Sequence, residues 1–210
     1  WGRFKGRVHA LPTDLDLEAL FYNKRMFDRE GIPYPDDTWD WQRYLEVCRK
    51  LTKDTDGDGK VDQWGSTVDG FWQNYIFQNG GSILSEDNTR CLLDQPEAYE
   101  AIQWMTDLRH KWGVTPSPGD QADMGTTGLW ASGRLGMFHS GSWAASLIFK
   151  ERVTGFEWDV APLPKGKERA TFMGGSAFAI VKGTRHPKEA WELVKFLTGP
   201  YLLGEWARQE

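Results

Sequence analysis

The residues whose spacing most specifically predicts a chemistry form one acidic loop, which runs from residue 54 to residue 62. Its carboxylates at loop positions 1, 3, 5 and 9, with glycine at position 6, match the spacing of calcium-binding loops. We expect this loop to hold a structural Ca²⁺ ion through side-chain or water-mediated contacts and one backbone carbonyl, from Asp54, Asp56, Asp58, Lys60 and Asp62. Position 12 is Gly65 where a complete EF-type loop carries a bidentate Glu, and a plain Asp-Gly surface turn is the alternative.

Aromatic and glycine residues beside predicted strands form a second candidate site. Gly141-Ser142-Trp143 follows one strand and opens a helix, so Trp143 lies at a strand end, where open α/β folds bind ligands. Phe71-Trp72 follows another strand, and Gly174-Gly175-Ser176 precedes a third, where bare backbone lets a ligand approach closely. The chain carries 12 tryptophans, and packing in the core is the alternative reading for each of them.

Sequence signatures of catalysis are absent. There is no GxSxG elbow, no HExxH pair and no Walker loop, and the four histidines are scattered along the chain. With 30 acidic residues a glycosidase-type carboxylate pair stays open, although no spacing singles one out.

Composition narrows the class of protein further. A net charge of −5 argues against nucleic-acid binding, which requires a basic surface. Hydrophobic residues at 40% and charged residues at 26% predict a folded globular chain, and no apolar run approaches the roughly 18 residues of a membrane span. The opening at Trp1 shows no signal-peptide core, which suggests a mature or shortened segment. For Cys48 and Cys91 we favour free thiols over a disulfide.

Alternating helices and strands must position these candidate residues. Apolar periodicity predicts a helix from residue 41 with Asp40 as its N-cap, a helix over 98–108 between Asp94 and Gly113, a helix over 190–197, and a shorter helix over 142–151. Strand-like runs cover residues 7–11, 19–22, 64–68, 135–139, 156–161 and 177–181. Several of these runs are continuously apolar, as buried strands are, so we predict an α/β layered fold.

A series of short motifs follows in order along the whole chain: Ala10-Leu11-Pro12, Ala19-Leu20-Phe21-Tyr22-Asn23-Lys24, Gly31-Ile32-Pro33, Thr38-Trp39-Asp40-Trp41, Lys50-Leu51-Thr52, Asp62-Gln63-Trp64-Gly65, Gln78-Asn79-Gly80-Gly81, Asp94-Gln95-Pro96-Glu97-Ala98, Gly141-Ser142-Trp143, Ala161-Pro162-Leu163-Pro164, Gly174-Gly175 and His186-Pro187-Lys188-Glu189-Ala190-Trp191. In order and spacing this series resembles the sugar-type extracytoplasmic solute-binding proteins of ABC importers, the family that includes maltose-binding protein. Each motif is weak by itself, and the resemblance rests on the series.

The resemblance implies a periplasmic-binding-protein-like (type II) architecture, in which crossing strands join two α/β lobes and the ligand lies in the cleft between them. It implies that residues 1–12 are the last strand of a first-lobe segment, 13–172 the second (C-terminal) lobe, and 173–210 the return into the first lobe. Family chains extend beyond both of these ends, so the resemblance places a secretion signal or the lipid anchor of a lipoprotein before residue 1.

The resemblance also implies seven ligand-binding residues: Asp14, Asp16, Phe71, Trp72, Trp143, Gly174 and Gly175. Asp16 lies on the first crossing, where the family places a carboxylate that accepts sugar hydroxyls, and Asp14 is the second choice. Trp143 matches the stacking tryptophan of the second lobe. Sugars fit these residue types, because they offer CH faces for stacking and hydroxyls for hydrogen bonds.

The function implied is a monomeric receptor that binds a mono- or oligosaccharide outside the cytoplasm, in the periplasm or at the cell surface, and delivers it to ABC permease subunits. Such a receptor is not an enzyme. The alternative that the residues leave open is a carbohydrate-active hydrolase fragment with tryptophan-lined subsites, and a third is a calcium-stabilised interaction module.

Overall fold

The computed structural model of the chain describes residues 2–68, 71–145, 149 and 152–209, which fall into two compact units. The first unit combines the residues up to Leu17 with those from Met173 onward, and the second runs from Glu18 to Phe172. The predicted boundary after residue 12 lies before the observed one, and the predicted boundary after residue 172 coincides with the observed one. The assignment of these segments to the lobes of a larger receptor stays a prediction.

The described residues form short helices and strands in the following chain order: β1 Arg3–Phe4, β2 Arg7–Val8, β3 Leu11–Pro12, β4 Asp16–Asn23, α1 Lys24–Arg29, α2 Trp41–Leu51, α3 Gln73–Gln78, α4 Pro96–His110, α5 Gly125–Ala131, β5 Met137–Gly141, β6 Trp158–Ala161, β7 Met173–Gly174, β8 Ala177–Phe178, α6 Pro187–Leu197 and α7 Pro200–Gln209. None of the helices in the described part of the chain has the length and hydrophobicity that a membrane span requires.

Strand β4 is the centre of the sheet in the second unit, with β5 on one side and β6 on the other. It pairs antiparallel with β5, from Glu18 opposite Gly141 to Tyr22 opposite Met137. Both faces of β4 are covered, because Leu20 and Tyr22 belong to one hydrophobic cluster and Phe21 belongs to another. This double burial explains why the run over 19–22 is continuously apolar and does not alternate.

The predicted helices form for the reasons that their sequences indicate. In α2 the carboxylate of Asp40 accepts a hydrogen bond from the Arg43 N–H at 2.8 Å, which caps the helix as predicted. Helix α4 has Pro96 at its start, although its N-cap is Gln95 and not Asp94. Helix α6 likewise starts at Pro187. In the predicted helix over 142–151, residues 143–144 are helical, and residues 146–148, 150 and 151 lie outside the described residues.

Several predicted strands are shorter than expected or absent. The predicted strand over 64–68 is wrong. Trp64 makes only an isolated bridge to Leu135, and Gln63, just before the predicted strand, makes another to Lys53. The run over 7–11 is divided between β2 and β3, and the run over 177–181 reduces to β8. Apolar content alone produced these predictions, and a strand also needs a neighbour that takes up its backbone hydrogen bonds.

Several of the tryptophans pack in the core, which was the alternative to a role in ligand binding. Trp39, Trp64 and Trp130 are buried. Trp41 and Trp104 stack on each other with ring centroids 4.6 Å apart. Both cysteines are free thiols, as favoured from the sequence, with Cys48 buried and Cys91 exposed.

Candidate functional site

A cavity of about 430 Å³ in the second unit brings together the three aromatic residues that were predicted to contact a ligand. Its lining combines aromatic rings with polar side chains: Glu18, Phe71, Trp72, Gln73, Phe138, His139, Ser140 and Trp143. The edge of the sheet where β4 begins and β5 ends supplies one part of this lining, and the start of α3 supplies the other. Rings beside polar groups are the usual chemistry of a pocket for a small ligand.

Trp143 is held in this cavity by a close fit against the strand before it. A Cβ atom placed on Gly141 would lie 1.8 Å from Cζ3 of the Trp143 ring, so the ring occupies space that any other residue at position 141 would fill. Phe71 meets the same ring edge to face, with centroids 6.0 Å apart and planes at 85°, and stacks on Phe172 at 4.7 Å. Trp143 is therefore a half-buried platform with one packed side.

Glu18 is the principal site residue that the sequence prediction missed. Its side chain is only 6% exposed, and its Oε2 accepts a hydrogen bond from Asn74 Nδ2 at 3.0 Å. Burial raises the pKa of Glu18 to about 7, while hydrogen bonds from the Phe71 backbone and from Asn74 oppose that rise. An acidic residue directly before the continuously apolar run over 19–22 was the signal available in the sequence, with Asp16 as a second acidic residue at the start of β4.

Two further polar atoms at the cavity are buried and have no hydrogen-bond partner among the described residues. They are Oε1 of Gln73 and Nε2 of His139. Burial lowers the pKa of His139 to about 4, so its imidazole is neutral near pH 7. The ring of Tyr75 packs parallel to His139, with centroids 6.2 Å apart. Buried polar groups are normally paired, so these atoms are suited to a ligand or to water.

The other four predicted ligand residues belong to the first unit and do not line this cavity: Asp14, Asp16, Gly174 and Gly175. Asp14 is exposed, and its carboxylate accepts a hydrogen bond from the Ser176 N–H. Asp16 is half-buried and lies opposite Gly174 in the pairing of β4 with β7. The roles of these four residues as ligand contacts stay predictions.

The acidic loop brings three of its four carboxylates together. Oxygens of Asp54, Asp56 and Asp58 lie within 4.8 Å of one another. The loop backbone supports this arrangement, because the N–H groups of Gly59 and Gly57 donate to the two oxygens of Asp54 at 2.8 and 2.7 Å. The first of these bonds is the largest cause that lowers the pKa of Asp54. Three converging carboxylates in a tight turn fit the hard-oxygen chemistry of Ca²⁺.

Asp62 and Lys60 fit the predicted ligand set less directly. The two oxygens of Asp62 accept hydrogen bonds from Thr55, at 3.0 Å from its N–H and 2.7 Å from its hydroxyl. The carboxylate of Asp62 thus ties the two ends of the loop together and does not join the other three. The N–H of Lys60 donates to Asp58 at 2.8 Å, which shapes the turn next to the predicted carbonyl ligand.

The family of the chain follows from comparison with known proteins. Residues 3–200 match the family described as bacterial extracellular solute-binding protein, so the chain belongs to that family. The ABC substrate-binding protein of Listeria monocytogenes, solved in complex with cycloalternan, has a TM-score of 0.86 at 25% identity, over 96% of this chain and 50% of that one. The predicted α/β, periplasmic-binding-protein-like (type II) fold is therefore confirmed.

Two relatives have names that state which sugar they bind. The maltotriose-binding protein of Pyrococcus abyssi is 26% identical over an alignment of 215 positions, which covers 97% of this chain and 43% of the relative. The arabinooligosaccharide-binding protein of Bacillus subtilis is 25% identical over 207 residues, which cover 92% of this chain and 45% of the relative. The resemblance to sugar-type solute-binding proteins is confirmed, and the chain spans about half the length of these relatives.

Proposed function

We propose that the protein is an extracytoplasmic receptor that binds a neutral mono- or oligosaccharide and delivers it to an ABC-type permease. The names of its relatives support this, because they describe an arabinooligosaccharide-binding protein, a maltotriose-binding protein and a complex with cycloalternan. The family description supports a place outside the cytoplasm, in the periplasm or at the cell surface. Permease subunits as partners, a monomeric state and a lipid anchor are parts of this proposal that rest on the resemblance.

One observation carries the proposal: the aromatic cavity around Trp143 in a fold of this family. Phe71 and Gly141 hold the Trp143 ring, and Trp72 at the same cavity is 37% exposed. Flat aromatic faces stack on the CH faces of sugar rings, and a polar end can bind their hydroxyls. The cavity thus combines the two contacts that a sugar ring requires.

The test is calorimetric titration of the intact protein with maltotriose, an arabino-oligosaccharide, cycloalternan and D-tagatose. We expect saturable binding of at least one of these sugars, and Trp143→Ala should weaken it. Gly155→Ala serves as control, because a Cβ atom there would contact nothing within 4 Å. Tight binding of an amino acid, with no binding of any sugar, would contradict the proposal.

The hydrolase alternative has no support in the comparisons, since the matched family and these relatives are described as binding proteins. Incubation with the same sugars tests it directly. We expect chromatography to show each sugar unchanged, and a cleavage product that disappears in Glu18→Gln would restore the alternative.

We propose in addition that the loop from Asp54 to Asp62 binds one Ca²⁺ ion in a structural role. The convergence of Asp54, Asp56 and Asp58 supports this assignment. Without a cation the three carboxylates repel one another, and the N–H groups of Gly57 and Gly59 offset only part of that repulsion. The ion would stabilise the folded loop, which is the basis of the calcium experiment in the Discussion.

A further inference from the structure

The polar end of the cavity offers hydrogen-bond acceptors that stacking on Trp143 does not use. We propose that Glu18 contacts the ligand, by accepting a hydrogen bond from a hydroxyl of the sugar ring that stacks on Trp143. Gln73 Oε1, which accepts, and His139 Nε2, which accepts or donates according to the tautomer of the neutral ring, complete this polar end. The inference rests on the proposed function, and it adds the polar contact at the edge of the stacked sugar ring.

The strand register places Glu18 beside the aromatic platform. Glu18 is directly opposite Gly141 in the antiparallel pair of β4 and β5, and the side chains of opposite residues project from the same face of a sheet. At position 141 the Trp143 ring takes the place of a side chain. The Glu18 side chain and the Trp143 ring are therefore cross-strand neighbours, both at the cavity. A ring stacked on Trp143 presents its hydroxyls, which lie at the ring edge, to Glu18.

The carboxylate of Glu18 has acceptor capacity left for a ligand. A carboxylate can accept about four hydrogen bonds, and the structure shows two donors to Glu18, Asn74 Nδ2 and the Phe71 N–H. The backbone of Glu18 is held separately, by bonds with the Thr171 hydroxyl at 3.1 and 3.0 Å. Thr171 fixes the strand here and leaves the carboxylate free to serve the cavity.

The neighbours of Glu18 favour a hydroxyl donor as its partner. The other titratable side chain in the cavity lining is His139, which is neutral because burial lowers its pKa, and the Tyr75 ring packs on it. Gln73 Oε1 and His139 Nε2 both lack a partner among the described residues, and unpaired buried polar atoms are costly. Each sugar hydroxyl both donates and accepts, so the hydroxyls of one sugar ring can pair with both of these atoms in one binding event.

The test uses proton linkage in the intact protein. A hydroxyl that donates to Glu18 stabilises the carboxylate form, so binding at pH 7 should release roughly half a proton from a group whose pKa is about 7. Titration with maltotriose, or with the sugar of the panel that binds best, is run in phosphate and in Tris, whose ionisation enthalpies differ. We expect wild-type protein to show this release, and Glu18→Gln to lose it and to bind at least tenfold more weakly.

The control is Glu168→Gln, an exposed glutamate of the same unit, which should keep both the affinity and the proton release. Equal affinity of wild type and Glu18→Gln, or proton uptake by the wild type, would overturn the inference while leaving a sugar receptor in place. If Glu18→Gln does not fold, two other measurements test the inference. The binding enthalpy of the wild type should still differ between phosphate and Tris as proton release requires, and Gln73→Ala should bind the sugar several-fold more weakly. Failure of every sugar to bind wild-type protein would instead reject the proposed function, and this inference with it.

Discussion

The six-membered ring of Trp143 lies where the side chain of residue 141 would begin, so glycine at 141 and tryptophan at 143 form one unit of structure. A Cβ atom on Gly141 would approach three atoms of that ring to between 1.8 and 2.2 Å. The sequence step Gly-Ser-Trp at the end of β5 therefore has a steric reason. It seats the ring on bare backbone, beside Glu18 on the neighbouring strand.

Gly141→Ala should displace the Trp143 ring and thereby weaken sugar binding at least tenfold. The added methyl group overpacks the site, so the free energy of unfolding should fall by about 1–3 kcal/mol. Calorimetry measures the affinity, and urea denaturation measures the stability. Gly155→Ala is the matched control and should change neither. Unchanged affinity in Gly141→Ala would show that the ring position does not matter for binding.

Trp143→Ala should cost more in binding than in stability, because the ring is half-buried and faces the cavity. We expect a loss of binding free energy of about 2 kcal/mol or more, as for a buried aromatic anchor. Trp143→Phe should recover part of this loss, since a smaller ring still stacks. A loss of about 3–5 kcal/mol in the free energy of unfolding with unchanged affinity would identify Trp143 as a core residue.

Glu18 should make the stability of the protein depend on pH. Its pKa is about 7 in the folded protein against 4.5 in the unfolded chain, so between these values the folded state binds more protons. The contribution of Glu18 to the free energy of unfolding is therefore present at pH 4.5 and lost as the pH rises through 7. Relative to wild type, Glu18→Gln should gain up to about 3 kcal/mol of stability between pH 5 and pH 8.

His139 should contribute a pH dependence of opposite sign. Burial lowers its folded pKa from 6.5 to about 4, so its contribution to stability is present above pH 6.5 and lost on acidification towards pH 4. The two residues offset each other between about pH 4.5 and 6.5. Urea denaturation should thus show wild type with a flatter profile in this range than Glu18→Gln, whose stability falls on acidification. A flat profile in Glu18→Gln would contradict this account of His139.

Addition of Ca²⁺ should raise the melting temperature if the acidic loop binds the ion. At a free concentration one hundred times the dissociation constant, mass action adds about 2.7 kcal/mol to the free energy of unfolding. Asp56→Ala combined with Asp58→Ala should abolish the rise. The double variant Asp120→Ala with Asp123→Ala removes two exposed carboxylates elsewhere and should keep it. The same response to calcium in all three proteins would reject the site.

The two cysteines should differ sharply in reactivity. Cys91 is exposed, whereas burial raises the pKa of the Cys48 thiol well above its ordinary value. A thiol reagent should therefore label one cysteine in the native protein and two in denaturant. Cys91→Ser should leave no thiol that reacts in the native state. Detection of a disulfide under denaturing, non-reducing conditions would contradict the free-thiol assignment.

The sequence by itself determined those parts of the protein whose signals are local. The apolar face of α2 and its Asp40 cap, the proline that starts α4, and the spacing of Asp54, Asp56 and Asp58 depend on residues a few positions apart. The series of motifs along the chain also predicted the fold class, which the comparisons confirm. The aromatic set Phe71, Trp72 and Trp143 followed from the same resemblance and meets at one cavity.

Only the tertiary structure decided the contacts that join distant segments. Glu18 becomes a site residue because β4 pairs with β5 and sets it opposite Gly141, more than a hundred positions along the chain. The apolar run that begins at Trp64 predicted a strand, but Trp64 forms only one isolated bridge, with Leu135. Apolar character was therefore not sufficient to predict a strand. Periodicity reports which face of a segment is buried, whereas register and burial of a charge depend on the segments that pack against it.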